Sequence, residues 1–163
     1  MAVSSRSFAG FIFTVSAVVL GAALLSQYWG GLAPCELCLK ERWSWDGALA
    51  IAAIAFAMPG AMSARIGLRA VALVLALVFA AGAALAFYHV GVEQHWFAGP
   101  SSCTADAIGA QTVEELRRQI LGTAPVICDQ VQWSLFGVSL AGWNLVASLL
   151  MAGACVAASR RGA

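Results

Sequence analysis

AVALVLALVFAAGAALAFYHVGV, residues 70–92, contains no Asp, Glu, Lys or Arg. As a helix rising 1.5 Å per residue, such a stretch is long enough to cross the ~30 Å hydrocarbon core of a bilayer, which takes about 20 residues. Three further stretches share the property: Ser7–Cys35, Gly47–Ala64 and Gln130–Ser159. Composition points the same way. Of 163 residues, 61% are hydrophobic and 10% charged, whereas a soluble domain has about 45–50% apolar and about 25% charged residues.

Turn sequence such as Gly30-Gly31 lies inside these limits. Helices are therefore predicted near 8–28, 44–62, 67–90 and 134–157, with Pro59 placed to kink or end the second. The expected architecture is an all-α membrane protein: a four-transmembrane-helix bundle forming a single domain over residues 1–163. Two extracytoplasmic loops, about 29–43 and 91–133, complete it. No internal repeat or low-complexity tract divides the chain. The first apolar run exceeds the roughly 7–15 residues of a signal-peptide core. Pro34 directly before Cys35 argues against lipoprotein-type cleavage, so the segment is read as a retained anchor.

With four spans, both chain ends lie on one side together with the turn around Arg65 and Arg69. That side carries Arg6, Arg65, Arg69, Arg160 and Arg161 and no acidic residue. The opposite side carries all 8 carboxylates, Glu36, Glu41, Asp46, Glu93, Asp106, Glu114, Glu115 and Asp129, with Lys40, Arg42, Arg117 and Arg118. Since Lys and Arg near span ends mark the cytoplasmic face, the termini are assigned to the cytoplasm and the loops to the outside. Tyr28, Trp29, Trp43, Trp45, Tyr88, Trp96 and Trp133 gather at the outer ends as an interfacial belt. The net charge of +1 gives no reason to expect nucleic acid as a partner.

Within the second loop, Thr112-Val113-Glu114-Glu115 reads as a capping box. It opens a short helix that Gly122 and Pro125 stop. Val113, Leu116 and Ile120 share one face, which suits a helix lying along the membrane surface or packed on the domain.

Four of the 5 cysteines fall in the loops, and Cys155 sits late in the last span, where it is read as an inert packed thiol. Disulfides persist in compartments such as the bacterial periplasm. Cys35-x-x-Cys38 closes too small a loop to stabilise a fold, because the entropy removed from the unfolded chain grows with loop length. The spacing is instead that of redox pairs, in which one thiolate attacks and its neighbour resolves. Cys103 and Cys128 can be a structural staple or a second redox pair, and the residues favour neither. Leu39 stands where haem attachment needs His. Cys103 and Cys128 are too far apart for a four-cysteine zinc site, so no metal is assigned. A structural four-span protein with extracellular disulfides explains the long loop but not the CxxC followed by Glu41 and Arg42. Arg42 and His89 lie near the outer boundary. Either alone can simply snorkel, but a cation beside Cys38 would lower its pKa and favour the thiolate.

Pro-Cys-x-x-Cys-x-x-Glu-Arg at 34–42, Tyr88-His89, and Cys128 followed by Gln132-Trp133 and an apolar helix resemble the disulfide bond formation protein B (DsbB) family of bacterial inner membranes, over nearly the whole chain. The CxxC-x-x-Glu-Arg junction is the specific part. The resemblance implies an enzyme, a protein-dithiol:quinone oxidoreductase of the inner membrane. It would reoxidise a periplasmic DsbA-like dithiol oxidase of thioredoxin fold and pass the electrons to ubiquinone or menaquinone. In that scheme Cys103 receives the partner's thiolate, with Cys128 as its pair. Cys128 then exchanges with Cys35, and Cys38 becomes the thiolate facing the quinone. Arg42, His89 and Glu41 are the implied quinone-binding residues. Asp129 beside Cys128 would raise that thiol's pKa, against the scheme. The vitamin K epoxide reductase type also combines four helices with CxxC, but places the motif at the start of the last helix, whereas here it precedes the second.

The charge asymmetry has a direct test. An impermeant thiol reagent applied to mildly reduced right-side-out spheroplasts should label Cys35, Cys38, Cys103 and Cys128. Protection of all four until the membrane is permeabilised would invert the orientation.

Overall fold

The structure, a computed structural model, describes residues 5–100, 103, 113, 117 and 126–161, with backbone alone for 60–66. Four helices and one small hairpin make up the described residues: α1 (Ser5–Tyr28), α2 (Glu36–Ala57), α3 (Gly60–Glu93), β1 (Ser134–Leu135), β2 (Val138–Ser139) and α4 (Leu140–Arg161). The described residues are helical apart from the hairpin and its connections, and the hairpin stands where the sequence predicts the start of the last helix. The surface helix expected around Thr112–Leu121 lies, except for Val113 and Arg117, outside the described residues.

Three segments are long and apolar enough to cross a membrane: α1, Gly67–Glu93 of α3, and α4. Their surfaces fit that role, because apolar side chains such as Phe11, Leu24, Leu77, Leu149 and Leu150 point away from the bundle. A helix that is apolar all round belongs in lipid or in a large core. The predicted second span is corrected at both ends. It starts at Glu36 rather than near 44, because Cys35 caps it: its backbone is extended and its sulfur accepts the Cys38 N–H. It ends at Ala57, because Pro59 lacks the N–H a continuing helix needs. The charged residues Lys40, Glu41, Arg42 and Asp46 therefore lie inside α2, and its uncharged part, 47–57, is too short to span alone.

α3 bends out of helical geometry at Gly67, with φ 71° and ψ 153°. This left-handed turn is open to glycine alone without strain, and it marks where the long span begins. The start of the last helix also shifts, from near 134 to Leu140. Phe136 and Gly137 take positive φ values of 54° and 78°, which makes a type I′ turn between the paired strands. Ser139 then caps α4, its hydroxyl accepting the Gly142 N–H.

α1 packs on α2, α2 on α3, and α3 extensively on α4, while α1 and α4 barely meet. The core follows helical periodicity. Phe8 and Ile12 of α1, Trp45, Ala48 and Ala52 of α2, Ala72, Leu75 and Phe79 of α3, and Met151 and Cys155 of α4 form one buried cluster. Trp45 meets Phe79 edge-on at 5.1 Å. Small residues let backbones approach, as membrane bundles require. A Cβ on Gly82 would stand 2.8 Å from Ser44 Cβ.

Gly82→Ala should accordingly lower the thermal midpoint in detergent, since overpacking costs about 1–3 kcal/mol and outweighs the helix propensity gained. Ser44→Gly in the same chain should recover part of the loss. An unchanged midpoint for Gly82→Ala would show that α2 and α3 can part at this level.

Candidate functional site

The site occupies the end of the bundle where α2 begins and α3 ends. Pro34 and the extended Cys35 deliver the chain into α2, so that Cys38 falls in the first turn beside the cap. The two sulfurs are 2.7 Å apart and unbonded. Cys35 is buried and Cys38 half-buried. Cys103 and Cys128 form a disulfide, which resolves the pairing but not the choice between staple and redox pair. Cys128 N–H donates to the Cys103 carbonyl at 2.6 Å, and Cys103 N–H to Pro100. The sulfurs of Cys35, Cys103 and Cys128 lie within 4.8 Å of one another, in a buried cluster with Leu37 and Val92. All four loop cysteines therefore meet at one point.

The chain after α3 is folded back to make this possible. The Trp96 and Phe97 N–H groups return to the Gly91 carbonyl, and the Tyr88 hydroxyl donates to the Ala98 carbonyl. The Phe97 ring stacks on Tyr88 and presses on Gly91, where no side chain would fit.

Behind the CxxC lies a buried polar chain drawn from three helices. His89 Nδ1 is 2.6 Å from Glu41 Oε1, and the Asn144 amide donates to Glu41 Oε2 at 2.6 Å. The Trp45 indole donates to Asn144 Oδ1 at 2.7 Å. The other His89 nitrogen, Nε2, is 3.6 Å from Cys35 Sγ. Glu41 and His89 are both buried. Arg42 points elsewhere, donating to Gln27 Oε1 at 2.7 Å and more weakly to the Ala23 carbonyl on α1.

Between α1 and α4 opens a cavity of about 550 Å³. Its walls are mainly apolar, with Leu20, Ala23, Trp133, Leu140, Trp143 and Ala147 among them, and its polar groups include Arg42, Glu41, Asn144 and Gln132. Cys38 is the cysteine on this wall. The spacing of Cys38, Glu41, Arg42 and Trp45 puts all four on one face of α2. Of the residues singled out in the sequence, Cys38, Glu41 and Arg42 thus border the cavity. Cys35, Cys103 and Cys128 cluster behind the Cys38 wall, outside the cavity lining, and His89 faces Cys35 rather than the cavity. Asn144 and Trp45 went unnoticed as site residues. An amide inside an apolar span was the available signal, because polar side chains at membrane depth seek partners or do chemistry.

Hydrogen bonding from Cys38 lowers the Cys35 thiol pKa, with His89 adding to the effect against the cost of burial, so that it falls to about 4. Cys38 is pushed the other way, by sharing that hydrogen bond and then by burial. This is opposite to the direction expected from a cation beside it; the shared hydrogen bond and burial set it, while Arg42 is engaged with α1. In the reduced pair the charge resides on Cys35. Cys128 is bonded and does not titrate, so Asp129 has no thiol to act on in this state.

Comparison with known proteins places the chain among relatives. The family model described as Disulfide bond formation protein DsbB matches residues 5–158. The chain is 32% identical to Disulfide bond formation protein B of Stutzerimonas stutzeri, over 94% of its own length and 93% of the relative's. It is 30% identical to the protein of that name from Aromatoleum aromaticum, over 93% and 90% of the two chains. To that of Methylococcus capsulatus it is 32% identical, over 86% and 84%. No solved structure matches the chain significantly.

The charge distribution can be measured. With Cys103, Cys128 and Cys155 replaced by Ser and the remaining pair reduced, ultraviolet absorbance should report one thiolate per chain at about pH 6–7, where ordinary thiols of pKa ≈ 8.5 are protonated. A lowered pKa keeps the charged form present above it, so the signal should fade only as the pH drops through about 4. A thiolate that appears only as the pH climbs through the ordinary thiol range would remove the assignment to Cys35.

Proposed function

Because this chain belongs to the disulfide bond formation protein B family, we propose that it oxidises a periplasmic DsbA-like dithiol oxidase of thioredoxin fold and delivers the electrons to membrane quinone. In this reading it is a four-span protein of the bacterial inner membrane, with cytoplasmic termini and periplasmic cysteine loops. α2 crosses as part of the bundle, packed between α1 and α3, with Asn144 of α4 reaching Glu41 in its polar first half. The observation that carries the proposal is the order of the sulfurs. Cys38 borders the apolar cavity, Cys35 lies next to it, and the Cys103–Cys128 disulfide lies beside Cys35.

The exchange steps balance along this line. A partner thiolate attacks Cys103, the Cys103–Cys128 bond breaks, and Cys128 leaves as thiolate. Cys128 attacks Cys35 of a closed Cys35–Cys38 pair, and Cys38 leaves with the electron pair. The partner's second thiolate resolves the mixed disulfide and frees Cys103. Cys103 then recloses on Cys128 and returns Cys35 as thiolate. The two electrons now reside on Cys35 and Cys38, the arrangement described above.

The cavity fits a quinone head group by its volume, its apolar walls and its few convergent polar groups. A quinone bound there would supply an acceptor for two electrons and two protons. Arg42 and Cys38 border that space, and the planar guanidinium has donors beyond those spent on α1. Glu41 and Asn144 contribute polar edges. His89 serves Cys35 in this reading, from behind the cavity wall.

Arg42→Met removes the charge while keeping much of the length, and Arg42→Lys keeps the charge without the fork. A charge-assisted hydrogen bond contributes about 1.5–3 kcal/mol. Arg42→Met should therefore lose roughly 10- to 100-fold in apparent quinone affinity, and Arg42→Lys less. Disulfide exchange with the dithiol partner in a single turnover should survive, because that step uses Cys103 and needs no quinone. Normal quinone reduction by Arg42→Met would leave Arg42 a tie between α1 and α2 and take the cavity out of the reading.

A further inference from the structure

The chain Trp45–Asn144–Glu41–His89–Cys35 has a direction that hydrogen-bond chemistry dictates. The Trp45 indole can only donate, so the Asn144 atom facing it, at 2.7 Å, must be the carbonyl oxygen. The amide nitrogen then faces Glu41 Oε2 at 2.6 Å and must donate. That contact uses Oε2 as an acceptor, so Glu41 can receive the Nδ1–H of His89 on Oε1. With Nδ1 protonated, a neutral His89 has its free lone pair on Nε2, 3.6 Å from the Cys35 sulfur.

We propose that Asn144, clamped by Trp45, is a positioning residue that fixes Glu41 and thereby keeps the Nε2 of His89 available to take the proton of Cys35. The step moves one proton from Cys35 Sγ to His89 Nε2 and no electrons, leaving a thiolate beside an imidazolium whose Nδ1–H stays on Glu41. It deepens the thiol–quinone reading and rests on it for its purpose: the Cys35 thiolate is the nucleophile that can reclose on Cys38 when the pair gives up its electrons. Glu41 also borders the cavity, so the stored proton waits one residue from the place where protons are consumed.

Asn144 is not needed for this by size or apolarity. Its neighbours on α4 are apolar apart from Ser148, and Leu would fill the same position at less desolvation cost. The titratable and charged groups around Cys35 are Cys38 and Glu41 on α2 and His89 and Glu93 on α3. The Cys103–Cys128 disulfide adds no charge. Without Asn144, Glu41 loses the donor that holds its carboxylate in place against His89. The Nδ1–H then loses its fixed acceptor and the imidazolium its counter-charge, so Nε2 becomes a weaker proton acceptor.

The test is the ultraviolet thiolate titration of the full-length chain, reduced and quinone-free, with Ser at 103, 128 and 155. Asn144→Leu should move the appearance of the Cys35 thiolate up by about 1–2 pH units. Asn144→Gln, which retains both donor and acceptor, should return part of the way. Trp45→Phe keeps a ring against Phe79 but frees the amide to turn, and should shift the titration in the same direction by less. A helical Asn144→Leu protein titrating like its parent would overturn the proposal. Should Asn144→Leu not fold, an unshifted Trp45→Phe overturns it equally. The titration involves neither quinone nor dithiol partner. Its outcome therefore stands apart from the Arg42 measurements, which can fail while the Asn144 shift remains.

Discussion

A carboxylate buried where three helices meet sets the terms for this end of the bundle. Glu41 is 6% exposed, and an ionised group without partners at that depth costs several kcal/mol. It is tolerated because His89 of α3 and Asn144 of α4 each bring a nitrogen to it within 2.6 Å. The requirement works in reverse as well. α2, α3 and α4 cannot slide against one another by even part of a turn without stranding the charge. Cys38 lies one turn before Glu41 and Trp45 one turn after, so the register that satisfies Glu41 also places a sulfur on the cavity wall and the indole in the core.

The first turn of α2 separates two environments. On one side stand the Cys103–Cys128 disulfide and the folded-back segment after α3. On the other is an apolar cavity at the seam where α1 and α4 barely meet. Adjacent sulfurs in one helical turn face these two sides, and nothing larger than a side-chain contact joins them. The polar chain through Glu41 gives the same turn a second, protonic connection that does not run through the sulfurs.

Much of this was legible in the sequence. Uncharged stretches located α1, the long part of α3 and α4, and the Cys35-x-x-Cys38-x-x-Glu41-Arg42 junction marked the site. What was not legible follows from long-range pairing. Lys40, Glu41 and Arg42 read as loop because charges are costly in an apolar helix. Their partners, His89, Asn144 and Gln27, are 48, 103 and 15 residues away from the residues they bond. The hairpin at 134–139 was hidden because Phe136 adopts a positive φ of 54°, which a bulky side chain rarely does. His89 was read from its position near the membrane boundary, but its direction, toward Cys35, depends on the helix rotation that Glu41 imposes. Whether Cys103 and Cys128 make a structural staple or a redox pair was left open, and spacing alone had no means of closing that choice.

Cys35 also begins α2, its sulfur accepting the Cys38 N–H at 3.2 Å. A thiolate in that position is a charged cap at the positive end of a helix, stronger than a neutral one. A sulfur engaged in a disulfide carries no charge and is a weak acceptor. In the proposed exchange the first turn of α2 is therefore held by a charged cap when electrons reside on the pair, and by the Cys35–Cys38 bond when they have left. Neither holds it while Cys35 is bonded to Cys128. Oxidation state is written into the mechanics of a helix end: the turn bearing Cys38 gains freedom at the stage when a sulfur must swing between partners, and stiffens again once the exchange is over.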